Sequence, residues 1–101
     1  MVHVRGGYVY IMSNPRRTVL YIGVTNSLLN RVNDHKNGIG CSFTNKYNCT
    51  DLIYFECFGF IEEAIKREKQ LKNWHRPWKI ELIRQKNPDM VDLSDTIEEY
   101  R

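Results

Sequence analysis

A chain of 101 residues, 42% hydrophobic and 27% charged, has room for one modest core. Those proportions are ordinary for a soluble globular domain, no apolar run approaches the ~20 residues of a membrane-spanning helix, and the first residues lack the apolar centre of a secretory signal. The net charge of +3 hides an asymmetry: residues 1–88 carry 14 Lys or Arg against 7 Asp or Glu, whereas residues 89–101 set Arg101 against five acids. The expected organisation is one domain over 1–88 followed by an acidic C-terminal tail, 89–101.

In chain order, Val9–Met12 and Val19–Val24 read as strands, rich in Val, Ile and Tyr and bounded by turn residues. Asn14 followed by Pro15 suits a type I turn. A four-residue loop over 14–17 would pair Ser13 with Thr18 and set Tyr10 opposite Tyr21, two phenols on one face. That arrangement is either a stabilising aromatic pair or part of a site. Thr25-Asn26-Ser27 offers helix N-caps, and a helix over about 27–37 places Leu28, Val32 and His35 on one face beside Arg31. It ends at Asn37-Gly38, a C-cap signal. Residues 38–50 read as a loop containing Lys46, either a contact to a nucleic-acid backbone or an exposed lysine.

Cys41, Cys49 and Cys57 match no zinc spacing. Reduced thiols and a cytoplasmic location are expected, with Cys57 as a small core residue. Leu52–Phe58 reads as a buried third strand. A second helix over 61–74 carries Ile61, Ala64, Ile65, Leu71 and Trp74 on an apolar stripe whose central position is Glu68. A carboxylate there is costly unless it is paired or binds a cation. It is therefore a metal ligand or half of a buried ion pair, with Arg31 the obvious partner. A third helix starts near Pro77 and stops before Asn87-Pro88, facing Trp78, Leu82 and Ile83 inward. Residues from Leu93 suit a short helix capped by Ser94.

Taken together, Tyr8-Val9-Tyr10, Tyr21-Ile22-Gly23, Arg31, His35 and Glu68 resemble the GIY-YIG nuclease superfamily over nearly the whole chain. The likeness is greatest to small single-domain bacterial proteins related to the nuclease domain of the excinuclease ABC C subunit. They show runs like Tyr21-Ile22-Gly23-Val24-Thr25-Asn26, Phe43-Thr44-Asn45-Lys46-Tyr47 and Glu63 through Lys72. Two departures stand out: Tyr8 replaces the first signature glycine, and Val24 replaces a lysine found in repair-type members. The element order β-β-α-β-α-α is that of an α+β protein, and the resemblance implies a three-stranded antiparallel sheet flanked by helices.

The resemblance also implies a divalent-metal-dependent endonuclease that hydrolyses DNA, in repair or recombination, with RNA as an alternative substrate. Glu68 would hold Mg²⁺ or Mn²⁺, Arg31 would bind the scissile phosphate, Tyr10 would orient the attacking water with His35 taking its proton onward, and Tyr21 would hydrogen-bond the phosphate or the water, either tyrosine being the base. Gly23 would leave room at the strand edge. Lys46, Lys69, Lys72 and Asn87 would bind substrate, with Asn73 the alternative to Asn87 as the family's C-terminal asparagine. The basic excess between Lys66 and Lys86 suits a phosphate backbone, and a protein partner would supply any sequence specificity. The competing readings are a non-catalytic nucleic-acid-binding module and a structural or partner-binding domain.

Overall fold

The computed structural model describes residues 5–97, with the side chain of Arg5 outside the description. Strand β1 (Arg5–Ser13) is followed by β2 (Leu20–Thr25), helix α1 (Leu28–Lys36), a short helix α2 (Ser42–Lys46), β3 (Asp51–Phe60), α3 (Ile61–Lys72), α4 (Arg76–Lys86) and a 3₁₀ turn (Ser94–Thr96). The three strands form one antiparallel sheet in the order β2-β1-β3. The expected α+β architecture is therefore present, with one helix, α2, added inside the expected 38–50 loop.

Alternation along β1 divides the apolar residues between two layers. Val9 and Ile11 face Ala64 and Leu71 of α3 and Ile83 of α4. Tyr10 and Met12 face Leu28 and Val32 of α1, together with Ile97. A β-bulge between Ile11 and Met12 leaves Ile53 as the extra residue on β3.

The hairpin differs from expectation in register. Asn14 and Arg17 do form the anticipated turn, with Arg17 N–H on the Asn14 carbonyl at 2.9 Å. The Asn14 side chain then accepts from the amides of Thr18 and Val19, at 2.9 and 3.0 Å. Those donors are thereby withheld from the ladder, and Arg17 turns through a left-handed φ of 60°. Pairing resumes only at Leu20, opposite Ser13. The slip is two residues, so every side chain keeps its face. Tyr10 lies opposite Gly23, Tyr21 lies opposite Met12, and the two tyrosines are diagonal neighbours.

Helix α1 presents Leu28, Val32 and His35 to the core, as its periodicity predicts. It closes on Gly38 at φ +76°, with Ile39 N–H on the Asp34 carbonyl at 2.9 Å. In α3, Ala64 and Leu71 are buried, whereas Ile65 is exposed, so the stripe is narrower than expected. Two further core expectations are corrected. Cys57 is exposed and Cys49 is the buried thiol. Trp78 is exposed, and α4 turns inward through Ile83 with Ile80 and Leu82 partly buried. The acidic segment packs onto the domain as far as Ile97: Met90 and Ile97 are buried, and Asp92 bonds the Leu52 amide at 3.0 Å and Lys36 at 2.7 Å. Its Met90 carbonyl also accepts from Arg17 Nε at 2.7 Å. The three cysteines are free thiols.

Candidate active site

Tyr10 and Tyr21 come from the two strands at the β2 side of the sheet, and His35 comes from the last turn of α1. Their rings form a triangle, with centroids 6.3 Å apart for the tyrosines and 5.6 Å from each tyrosine to His35. The Tyr10 hydroxyl meets His35 Nε2 at 2.9 Å, and His35 Nδ1 meets the Thr44 hydroxyl at 2.9 Å. Tyr10, His35 and Thr44 are each at most 2% exposed, so this row is enclosed.

Two glycines make the enclosure possible. A Cβ at Gly23 would lie 2.4 Å from the Tyr10 hydroxyl oxygen, and one at Gly40 would lie 2.1 Å from His35 Nδ1. The open space anticipated at Gly23 is thus occupied by the Tyr10 phenol rather than left for substrate. Gly23→Ala must displace that ring, so a stability loss of about 1–3 kcal/mol is expected from overpacking. Thermal or urea unfolding of the variant checks it; a wild-type midpoint would contradict the tight contact.

Thr44 was not among the residues singled out from sequence, yet it orients the histidine. Its single hydroxyl proton is directed to Cys41, whose carbonyl lies at 3.2 Å and whose Sγ lies at 3.3 Å. The hydroxyl must then accept from His35 Nδ1–H, which leaves Nε2 as an acceptor aimed at the Tyr10 O–H. Burial, with Arg31 adding to it, holds the His35 pKa below the ordinary imidazole value, so the ring is neutral at pH 7. Burial, then the neighbouring Tyr21, pushes the Tyr10 phenol well above its usual value; Arg31 opposes this and Glu68 adds to it.

Tyr21 is the more accessible phenol, raised by burial and by its hydrogen bond to Cys41. Burial pushes the Cys41 thiol up, but hydrogen bonds from Thr44, Tyr21 and the Phe43 amide outweigh it and leave the thiol below its usual range.

Arg31 of α1 and Glu68 of α3 act on both tyrosines electrostatically, from opposite layers of the sheet. They are not paired with each other. Glu68, 14% exposed, has one oxygen 3.3 Å from Lys72 Nζ, a long i,i+4 contact to a half-exposed lysine. Among the described residues no ion pair engages Arg31. The buried Arg31–Glu68 bridge left open by the sequence is therefore absent. Lys69 and Lys46 are exposed, the latter with Nζ 5.3 Å above the Tyr47 ring.

Asn87 is corrected. It is 4% exposed, donates from Nδ2 to the carbonyls of Ile53 and Val91 at 2.9 Å each, and accepts from Val91 N–H at 3.2 Å. This amide is consumed in fastening the chain after α4 to β3. Asn73, the alternative, is exposed at the end of α3.

Among the described residues no three His, Cys, Asp or Glu side chains are grouped to share a metal ion. A single loosely engaged carboxylate suits a hydrated hard cation that takes its remaining ligands from water and phosphate. Glu68 fits that description.

Residues 6–81 match the family model described as the GIY-YIG catalytic domain. The chain belongs to the GIY-YIG family. It is similar to a UPF0213 protein of Clostridium perfringens, 39% identical over 79% of this chain and 85% of the relative. A UPF0213 protein of Pediococcus pentosaceus is 33% identical over 89% of this chain and 94% of the relative. The solution structure of a UPF0213 protein from Bacillus halodurans covers 95% of this chain and 99% of that one, at 25% identity and a TM-score of 0.55. As in GIY-YIG catalytic domains generally, a nuclease activity with a divalent metal and a nucleic-acid substrate is implied. No helix among the described residues is long and apolar enough to cross a membrane.

Proposed function

We propose that this GIY-YIG domain is a divalent-metal-dependent endonuclease hydrolysing phosphodiester bonds in DNA. The observation that carries this reading is that Arg31 and Glu68 both act on the two neighbouring tyrosines without being paired with each other. They reach the tyrosines from opposite layers of the sheet, so the cation and the carboxylate do not cancel, and a partly buried charge without a close partner is costly unless a ligand uses it. Arg31 is engaged by no ion pair among the described residues, and Glu68 only by the long contact to half-exposed Lys72, which a cation can displace.

Phosphodiester hydrolysis needs an oriented water, a place for its proton, and neutralisation of charge on phosphate and leaving oxygen. When bound at Glu68, Mg²⁺ or Mn²⁺ would offset charge on the phosphate and on the departing alkoxide. Arg31 would hold the phosphate, where its planar fork matches two oxygens. Tyr10 is favoured over Tyr21 as the proton acceptor because its hydroxyl has the His35 imidazole behind it, whereas Tyr21 is hydrogen-bonded to the Cys41 thiol. Because this row is enclosed, substrate binding must first admit water to the Tyr10 hydroxyl; as a water O–H then breaks, its proton passes to the Tyr10 oxygen and the Tyr10 proton passes to His35 Nε2. The resulting imidazolium keeps its Nδ1–H on Thr44. A phenol with a raised pKa is a poor source of phenolate by itself, so this outlet for the proton is needed. Tyr21 would then hydrogen-bond the phosphate.

The exposed lysines of α3 (Lys66, Lys69 and Lys72), with Lys79 and Arg84 of α4, would follow the backbone and provide affinity without sequence preference. Binding measured in EDTA should weaken linearly in log–log coordinates as salt rises. Neutralising one contacting lysine should lower the slope by roughly one phosphate's worth, about 0.7–0.9. Salt-insensitive binding, or none at low salt, would remove the nucleic-acid reading.

A further inference from the structure

The segment between α1 and β3 carries its largest apolar side chains outward. Phe43 of α2 and Tyr47, the residue that closes it, lie one helical turn apart, 42% and 41% exposed, with ring centroids 4.8 Å apart. Phe43 is also 5.8 Å from Tyr21, so one row of rings runs from inside the candidate site to open solvent. Beside these rings on the helix, buried Thr44 is anchored on His35. The helix is thereby held with its aromatic side turned out.

Solvated aromatic rings are available to any flat partner, so their surroundings decide which. Lys46 stands over Tyr47, and residues 35–50 contain two lysines and no acid. A cationic, aromatic surface continuous with a phosphate-directed arginine matches a nucleic-acid strand: bases for the rings, phosphates for the lysines. A base inside an intact duplex has both faces covered by its neighbours. Only an unpaired, frayed or flipped base can offer a face to Phe43 or Tyr47.

We propose that Phe43 and Tyr47 form a stacking platform for an unpaired nucleobase next to the scissile phosphate, so that the substrate is single-stranded or locally opened nucleic acid rather than intact duplex. This rests on the nucleic-acid reading of the same site, but not on cleavage. The platform also gives α2 a role that its five residues do not have in the core: it couples the outward rings to the Thr44–His35 contact behind them.

The test is fluorescence anisotropy of the full chain in EDTA at one fixed low salt. The probes are a labelled single-stranded DNA, the same-length RNA, the same DNA strand with abasic sites in place of bases, and a blunt duplex. Wild type should bind the base-bearing strands more tightly than the abasic strand or the duplex. Phe43→Leu and Tyr47→Leu should each weaken binding to base-bearing strands roughly 5- to 100-fold and leave abasic binding unchanged. The DNA and RNA arms identify which sugar the site accepts. Both side chains are well exposed, so near-wild-type melting is expected of both variants, and each serves as a check on the other. Equal affinity for base-bearing and abasic strands would overturn the proposal. So would a dimer in sedimentation that Phe43→Leu dissolves while nucleic-acid affinity stays unchanged. Because binding is read without metal, failure to cleave any substrate leaves this test standing, whereas an active nuclease indifferent to both substitutions overturns the platform alone.

Discussion

Glu68→Gln should abolish divalent-dependent cleavage, by about 10³-fold or more, while changing stability by no more than a few tenths of a kcal/mol. The first magnitude follows from losing the carboxylate proposed to hold the cation: metal stabilisation of transition-state charge is worth several kcal/mol, and each ~1.36 kcal/mol is tenfold in rate. The second follows from geometry. The partner of Glu68 is Lys72, half exposed, at 3.3 Å along one helix face, and such i,i+4 pairs contribute only about 0.3–0.5 kcal/mol. Had Arg31 been the buried partner, the same change would have stranded a guanidinium and cost roughly 3–5 kcal/mol. Thermal melts in EDTA beside single-turnover cleavage separate the two. Intact cleavage with a large drop in melting temperature would assign Glu68 to the fold.

Tyr10→Phe should slow cleavage by about 10²–10⁴-fold, the usual range for a general acid–base group. The ring still fills the space against Gly23, but His35 Nε2 loses its partner at 2.9 Å, so a stability cost of about 1–3 kcal/mol is also expected. The pH dependence has a fixed sign. His35 must be neutral to take the proton, and its pKa in the fold lies below the ordinary ~6.5. Cleavage should therefore fall only when pH drops below that depressed value, and should be flat through neutrality on this account. The same shift enters stability: the unfolded chain binds a proton at His35 where the folded chain does not, so the contribution is present in full above about 6.5 and lost as pH falls towards the folded value. The groups facing His35 are Tyr10, Tyr21, Thr44, Arg31 and Asp34, of which Arg31 opposes protonation and Asp34 favours it. His35→Gln should remove both the acid limb of the rate profile and this acid-side loss of stability. Near-normal turnover in Tyr10→Phe would reduce Tyr10 to a packing residue.

The long, regular elements were legible because their periodicity is strong: Leu28, Val32 and His35 share a face in both readings, and Asn37-Gly38 ends α1 as its residue types require. What escaped depends on side chains that act across sequence gaps. The hairpin register turned on the Asn14 side chain, which captures two amides that a four-residue loop would have placed in the ladder. Helix α2 has only five residues, too few to show a period; the polar Cys41-Ser42 pair before Phe43 was its one local signal. Thr44 meets His35 from nine residues away, with nothing in the intervening composition to mark it. Cys57 follows the alternation of a strand but lies in the second half of β3, where burial falls away, and is exposed. Asn87 had the expected polarity for a substrate contact, and only the coordinates show its amide spent on Ile53 and Val91. Glu68 was singled out because a carboxylate between Ala64 and Leu71 is anomalous in a packed stripe.

The most direct measurement is strand scission of end-labelled nucleic acid by the purified chain, in Mg²⁺, in Mn²⁺ and in EDTA, with Glu68→Gln and Arg31→Ala prepared identically as controls for contaminating nucleases. The account predicts cleavage by wild type with either cation, none in EDTA, and loss of cleavage in both variants while their melts remain close to wild type. Cleavage that persists in EDTA or in both variants, or no cleavage of any single-stranded, frayed, nicked or duplex substrate with either cation, would contradict it.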